Sequence, residues 1–270
     1  MKLNYLLATI PFHFNNKKIK YLYQTTENFL KFSKKVELFI ITNTKKKNNH
    51  NKILNGINKN IKTKIIVPNY LGHPYFLAWI HLDIFKQKLN KKKISHFLYI
   101  EDDINLTEDN IKYWLNGRKK LKKYGLIPSF LRYEINAKNN EKYSVDVLKK
   151  LWFHNLPKIK ISKKYYFLNL PQPYQGLYLL DRILLKEHLN GLSSHPDNVK
   201  HLWNIRERAA QGVTFSNVPS KFNSRNLVGY DSLNKKIDSD CLVYHLPNNY
   251  IKKNDIFSRI KIKDLIKKLF

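Results

Sequence analysis

The chain has 270 residues, and 50 Lys and Arg face 20 Asp and Glu, for a net charge of +30. A hydrophobic share of 43% supports a real core, and no apolar run reaches the ~18 residues of a membrane-spanning helix. The single cysteine, Cys241, excludes an internal disulfide framework and a multi-cysteine zinc site, and it fits a reducing, cytoplasmic setting.

Met1 to Ile10 is hydrophobic but lacks a small-residue cleavage site and runs into Pro11-Phe12-His13. It reads as a first strand, Asn4 to Ile10, and not as a secretion signal. Ile19 to Phe32 places Ile19, Leu22, Tyr23, Phe29 and Leu30 at helical spacing. Val36 to Thr42 is a second apolar strand. Lys45 to Asn60 is Lys- and Asn-rich with little pattern, a loop or a weak helix. Lys64 to Val67 is a third strand, stopped by Pro68-Asn69. Pro74 then opens a helix through Leu89, because proline suits the first helical turn. Phe97 to Ile100 is a fourth, continuously apolar strand. Thr107 caps a further helix that runs to Tyr124 and stops at Gly125. This alternation of strand and helix is the signature of a mostly parallel central sheet flanked by helices.

The second half is less regular. Leu126–Asn136 and Tyr143–Val147 read as strands, and Trp152–Ser162 as loop. Leu177–Leu189 reads as a helix or a strand–helix unit, and Trp203–Gln211 as a helix closed by Gly212. Cys241–Leu246 is a last strand. Ile256–Phe270 reads as a basic amphipathic helix, although Ile262 spoils the separation of its faces. The expected organisation is one α/β domain over 1–250, in halves 1–125 and 126–250, with a basic tail over 251–270.

The most informative stretch follows the fourth strand. Glu101, Asp102 and Asp103 come at once after Ile100, in an otherwise acid-poor chain. Three consecutive acids arise by chance only about 0.1 times in such a composition. A strand buried on both faces cannot hold charge, so the acids must emerge at its C-terminal end, the edge at which open α/β sheets bind ligands. A divalent cation is the leading reason to concentrate carboxylates there. Magnesium takes a few carboxylates, substrate phosphate oxygens and water. Manganese also accepts imidazole.

This order of elements, ending in Glu101-Asp102-Asp103, resembles the GT-A class of nucleotide-sugar-dependent glycosyltransferases, which carry an Asp-x-Asp-like motif at such a place. The resemblance covers roughly residues 1–250 by layout. It implies a Rossmann-like sheet, a nucleotide diphosphate sugar donor, a glycan or glycolipid acceptor, and a Mn2+ or Mg2+ cofactor. Glu101 and Asp103 take the spaced metal positions, with Asp102 beside the donor; the spelling departs from the more usual Asp-x-Asp. His245, at the end of the last apolar strand, matches a late metal or diphosphate contact, with a core histidine as the other reading. Thr9, Pro11 and His13, ending the first strand, lie where the class contacts the nucleotide.

Inverting transfer needs a general base. Glu207, in a helix that begins beside Trp203, is the first candidate, and Asp181 the second; a helix salt bridge and a helix cap are their structural readings. Asp238-Ser239-Asp240 has the right spelling but precedes its strand. Pro171 to Gly176 is a turn-rich loop among aromatics. Arg132 and Glu134 share one strand face, as an ion bridge or as a substrate clamp.

The charge favours anionic partners, and nucleic acid is one reading of it. The lysines, however, are scattered over the whole length and not gathered with aromatics, as compositional bias would leave them. A catalytically inactive GT-A-like binding module is a further alternative. The basic tail adds peripheral contact with an anionic membrane as an expectation.

Overall fold

The computed structural model describes residues 2–171, 173–197 and 203–267. The chain divides into two compact units, one of Met1–Glu108 with Gly176–Val213 and one of Asp109–Gln175 with Thr214–Phe270.

The first unit is built on a five-stranded sheet. Its strands are β1 (Leu6–Phe12), β2 (Val36–Thr42), β3 (Lys62–Ile66), β4 (His96–Ile100) and β5 (Leu177–Asp181). Their spatial order is β5-β4-β1-β2-β3. β1 pairs in parallel with β2 and with β4, β2 pairs in parallel with β3, and only β5 runs antiparallel, against β4. This is the mostly parallel α/β sheet that the sequence predicts, with the 3-2-1-4 order of a Rossmann-like fold. The physical cause is visible in burial. Every residue of β2 is buried, and so is all of β1 except half-buried Pro11. Charge appears in the sheet where it is tolerated. Lys62 and Lys64 are exposed on edge strand β3, where they discourage further pairing. Glu37 on β2 is buried but held by Lys88 at 3.1 Å and by the Tyr5 hydroxyl at 3.1 Å.

Helices α1 (Ile19–Thr26), α2 (Lys47–Asn55), α3 (His81–Lys88), α4 (Arg182–Asn190) and α5 (Ile205–Arg208) accompany this sheet. α2 forms in the Lys/Asn stretch that shows little pattern, anchored by buried Ile53. The Pro74 helix begins as a 3-10 turn, Pro74–Ile80, and becomes α3 only at His81. The helix expected over Trp203–Gln211 is a single turn.

In the second unit, the helix Glu108–Leu121 ends through a 3-10 turn at Gly125, whose φ of 70° is the left-handed stop expected of glycine. Lys158–Ser162, Tyr165–Leu168, Asn226–Asp231 and Lys236–Ile237 form an antiparallel sheet, joined by Ile127–Pro128. Leu131–Asn136 lies between parallel Leu242–His245 and antiparallel Glu141–Ser144. Lys158–Ser162 corrects the loop expected there.

The tail is the clearest correction. Ile256–Ser258 and Ile262–Asp264 are separate 3-10 turns, and Ile266–Lys267 pairs in parallel with Leu151–Trp152. The Ile260 and Leu265 carbonyls accept from Ser144 and Leu151 amides at 2.8 Å each. These bonds within the unit replace helical ones, and Ile262, the residue out of phase with an amphipathic helix, is buried. Lys268–Phe270, the end of the expected helix, lie outside the described residues. No helix among the described residues is long and apolar enough to cross a membrane.

Candidate active site

The strand order creates the site. From β1 the chain steps outward to β2 and β3, then returns to β4 on the other side of β1. The C-terminal ends of β1 and β4 therefore flank a topological switch point, where a crevice opens in sheets of this kind. The register of these two strands, Leu6 with His96 through Thr9 with Tyr99, brings the residues after both ends to one edge.

Glu101, Asp102 and Asp103 occupy that edge as a half-buried turn. The Glu101 amide donates to the Gly176 carbonyl at 2.9 Å, which ties the turn to the residue just before β5. Gly176 has φ +67°, and a Cβ there would lie 2.9 Å from Glu101 Oε2 and 3.3 Å from the Ile104 side chain. The space beside the carboxylate exists because residue 176 has no side chain. Asp102 is pushed up to about 8, first by burial and then by the charge of Asp103, with Lys18 opposing and Glu101 adding. Asp102 thus stands beside two further carboxylates, and a bound cation lowers the cost of holding such groups together.

The oxygen donors of Glu101 and Asp103 suit a hard divalent ion. Among the described residues, no three His, Cys, Asp or Glu side chains are gathered closely enough to hold a metal by themselves. A cation here would complete its shell with phosphate oxygens and water, the usual habit of magnesium.

At the end of β1, Pro11 is half-buried and His13 is exposed, with Nε2 of His13 3.1 Å from Nδ2 of Asn43. Thr9 differs. It is fully buried, and its hydroxyl donates to the Leu98 carbonyl at 3.3 Å, so its side chain belongs to the sheet and not to the crevice.

Asp181 is not brought to the cluster. β5 runs antiparallel to β4, so Leu177 stands beside Ile100 while Asp181 stands beside His96, at the opposite edge of the sheet. There it caps α4, accepting from the Leu184 amide at 2.9 Å. Glu207 lies in α5 within a capping box: its carboxylate accepts from the Asn204 amide and the Asn204 side chain accepts from the Glu207 amide, each at 3.0 Å. The Trp79 indole donates to the Ile205 carbonyl at 2.8 Å and tethers this helix to the Pro74–Ile80 turn.

The remaining candidates belong to the second unit. His245 Nδ1 is 2.6 Å from Glu134 Oε1, and both are buried. Glu134 also accepts from the Tyr250 and Ile251 amides. Arg132 does not bridge to Glu134. It forms a bidentate pair with Asp146 at 3.0 and 2.6 Å, beneath the Tyr174 ring. Asp238 caps the turn Ser239–Cys241 and accepts the Tyr165 hydroxyl.

Sequence reasoning missed a buried polar chain under the site. His81 Nδ1 is 2.5 Å from the Ala78 carbonyl, and His81 Nε2 is 2.5 Å from the Tyr178 hydroxyl. That hydroxyl is 3.4 Å from His188 Nε2, and His188 Nδ1 is 2.8 Å from Ser193 Oγ. Tyr99 on β4 stacks on Tyr178 with centroids 5.5 Å apart and planes at 17°, and lies 4.5 Å from the His81 ring. Burial pushes the Tyr99 phenol well above its ordinary range, and Glu101 adds to this while Arg206 opposes it. The sequence gives no sign of this chain, since Tyr99 and Tyr178 stand within apolar strands and read as core.

No protein-family model matches the chain, and no curated protein sequence matches it. Solved structures are similar in shape, among them two that bind nucleotides. The crystal structure of GalNAc-T7 with UDP, GalNAc and Mn2+ matches with a TM-score of 0.49 at 12% identity, over 90% of this chain and 43% of that one. The chain thus spans less than half the length of that protein. A UTP-bound UGPase from Acinetobacter baumannii matches with a TM-score of 0.43 at 6% identity, over 86% of this chain and 89% of that one.

Proposed function

We propose that this protein is a metal-dependent glycosyltransferase with a GT-A-like fold, moving a sugar from a nucleotide diphosphate sugar to a glycan or glycolipid acceptor. The observation that carries the reading is the acidic turn Glu101-Asp102-Asp103 at the switch point of the sheet, with the Gly176 cradle beside it. Carboxylates at that place suit a cation–diphosphate pair better than any purely structural purpose, because each is costly to bury beside the others.

Glu101 and Asp103 would hold Mn2+ or Mg2+, and the ion would neutralise the charge that builds on the departing diphosphate. Asp102 would stand against the donor, with Pro11 and His13 at the nucleotide. Glu207 is the candidate base: it would take the proton of the acceptor hydroxyl as that oxygen attacks the sugar, after leaving its capping contact with Asn204. Residues 126–250 would supply the acceptor side.

Peripheral membrane contact is part of the same reading. Ile256 and Phe257 are exposed beside Lys252, Lys253 and Arg259, an apolar pair among cations that suits anionic lipid and a lipid-linked acceptor. The setting would be the cytoplasmic face of that membrane.

The test is calorimetric binding of UDP, GDP, ADP and dTDP with and without Mn2+, followed by metal-dependent hydrolysis of the matching nucleotide sugars. Metal-dependent binding and turnover support the enzyme. Binding without turnover points to an inactive binding module, and binding of nucleic acid in place of any nucleoside diphosphate sinks the reading.

A further inference from the structure

We propose that Tyr70 and Tyr75 form an aromatic platform on which an uncharged sugar ring of the acceptor stacks. The acceptor role rests on the function proposed above, and the platform adds to it a contact from the first half of the chain, outside the acidic turn.

Its place follows from the sheet. β1, β2, β3 and β4 are parallel, so the segment that leaves β3 at Val67 starts from the same edge as the acidic turn. By His81 the chain has reached the other side of β1, where His81 Nε2 is 2.5 Å from the Tyr178 hydroxyl. Tyr178 registers with Tyr99, the residue before the last of β4, so this point too lies near that edge. Between the two, the turn Pro74–Ile80 packs against β1 and β2. Three strand spacings separate β3 from β4, a width of only ~14 Å.

Two independent features mark this segment as a surface for a ligand. The first is exposure of aromatic rings in a fixed geometry. Tyr70 is 87% exposed and Tyr75 44%. The Tyr75 amide donates to His73 Nδ1 at 3.2 Å, and the two rings meet edge to face with centroids 4.6 Å apart. Gly72, at φ +63°, makes the bend between the tyrosines. The second is charge. Ile65 to Leu82 contains no Lys, Arg, Asp or Glu, although 26% of the chain is charged. Asn69, Gly72, His73 and Pro74 are exposed where lysine covers so much of the remaining surface. A lysine-rich surface attracts anions such as nucleic acid or acidic lipid. A surface without formal charge, carrying aromatic faces, complements a ligand that is itself uncharged. A sugar ring fits, because its C–H face packs on the aromatic ring while its hydroxyls meet the polar tip of tyrosine.

The tether to α5 selects the acceptor. The Trp79 indole donates to the Ile205 carbonyl at 2.8 Å, and so ties the turn that begins at Pro74 to the helix that carries Glu207. A sugar stacked on the platform is held on the side of the candidate base, where the attacking hydroxyl must come.

The experiment compares the full-length wild type with Tyr70→Ala, Tyr75→Ala, Tyr70→Phe and Tyr75→Phe, and with Tyr124→Ala as an exposed tyrosine away from the platform. The probes are the methyl glycosides of glucose, galactose, mannose and N-acetylglucosamine, titrated by saturation-transfer NMR. Affinity for UDP, GDP, ADP and dTDP with Mn2+ is measured by calorimetry on the same proteins. Each alanine variant of the platform is expected to weaken glycoside binding about five- to tenfold, with nucleoside diphosphate affinity unchanged and Tm within ~2 °C. The phenylalanine variants keep the ring and are expected to bind within about twofold of wild type. Tyr124→Ala is expected to match wild type throughout. A wild type that binds none of the four glycosides, or alanine variants that bind them as wild type does, overturns the platform. Loss of nucleoside diphosphate affinity in the alanine variants places the rings on the nucleobase and overturns the acceptor assignment. A wild type that binds a glycoside but no nucleoside diphosphate overturns the function proposed above and the acceptor role with it, leaving a sugar site.

Discussion

The Tyr178 hydroxyl lies 2.5 Å from Nε2 of His81, and this one contact sets the direction of every proton in the buried chain. His81 Nδ1 faces a carbonyl and must carry hydrogen, so Nε2 accepts and Tyr178 donates. Tyr178 then accepts from His188 Nε2, and His188 Nδ1 accepts from Ser193. Every member is satisfied only while both imidazoles are neutral.

That order makes stability depend on pH. Burial lowers His81 to about 3 and His188 to about 4, with His96 also held to about 4 by burial. The unfolded chain binds protons on these groups below pH ~6.5 while the folded chain does not. The contribution is therefore fully present above about 6.5 and is lost as pH falls toward 4. Tm should decline across that window, and His96→Gln should flatten the decline. A Tm that stays level from pH 7 to 4 contradicts the neutral assignment.

Gly176→Ala should weaken the site beyond its effect on stability. The left-handed backbone costs alanine roughly 1–2 kcal/mol, and the new Cβ presses on Glu101 Oε2. Gly125→Ala is the control, with φ +70° but its nearest neighbour a Pro219 carbon at 3.6 Å. Both variants should lose Tm, about 2–4 °C per kcal/mol. Only Gly176→Ala should bind Mn2+ and nucleoside diphosphate less tightly, as read by calorimetry.

Asp103→Ala should abolish metal-dependent donor binding and leave Tm close to wild type, whereas Asp240→Ala, in the turn that Asp238 caps, should leave donor binding intact. Equal donor affinity in wild type and Asp103→Ala with manganese present removes Asp103 from the site.

Glu207→Gln separates chemistry from structure, because glutamine also serves in a capping box. Turnover should fall about 10²-fold or more with donor affinity nearly unchanged. Full activity in this variant would leave Glu207 as a helix cap.

Truncation cannot probe the tail cleanly, since Ile260, Ile262 and Leu265 are built into the second unit. Phe257→Glu and Ile256→Glu change only exposed side chains. Each should reduce co-sedimentation with anionic vesicles and retain Tm within ~2 °C, the usual tolerance for surface changes. Equal vesicle binding by both variants, or none by the wild type, removes the membrane contact.

The parallel sheet and the acidic turn were legible in the sequence. Leu98 to Ile100 is too apolar to lie anywhere but the core, and Glu101 to Asp103 too charged to follow it there, so the strand had to end in a polar edge. Burial is a property of each residue and shows in a one-dimensional pattern. Partners are not. Glu134 and His245 are separated by 111 positions, and only the register of two strands makes them a pair. The direction of β5 sends Asp181 to the far edge, although Leu177 to Leu180 would read the same in either direction. The tail has the composition of a surface helix, yet backbone bonds to Ser144 and Leu151 gain more by drawing Ile262 and Leu265 inward. Tyr99 reads as a core aromatic, and only the neighbours fixed by tertiary packing reveal that its hydroxyl has no hydrogen-bond partner among the described residues. Local pattern determines what must be buried; long-range register decides what each buried group meets.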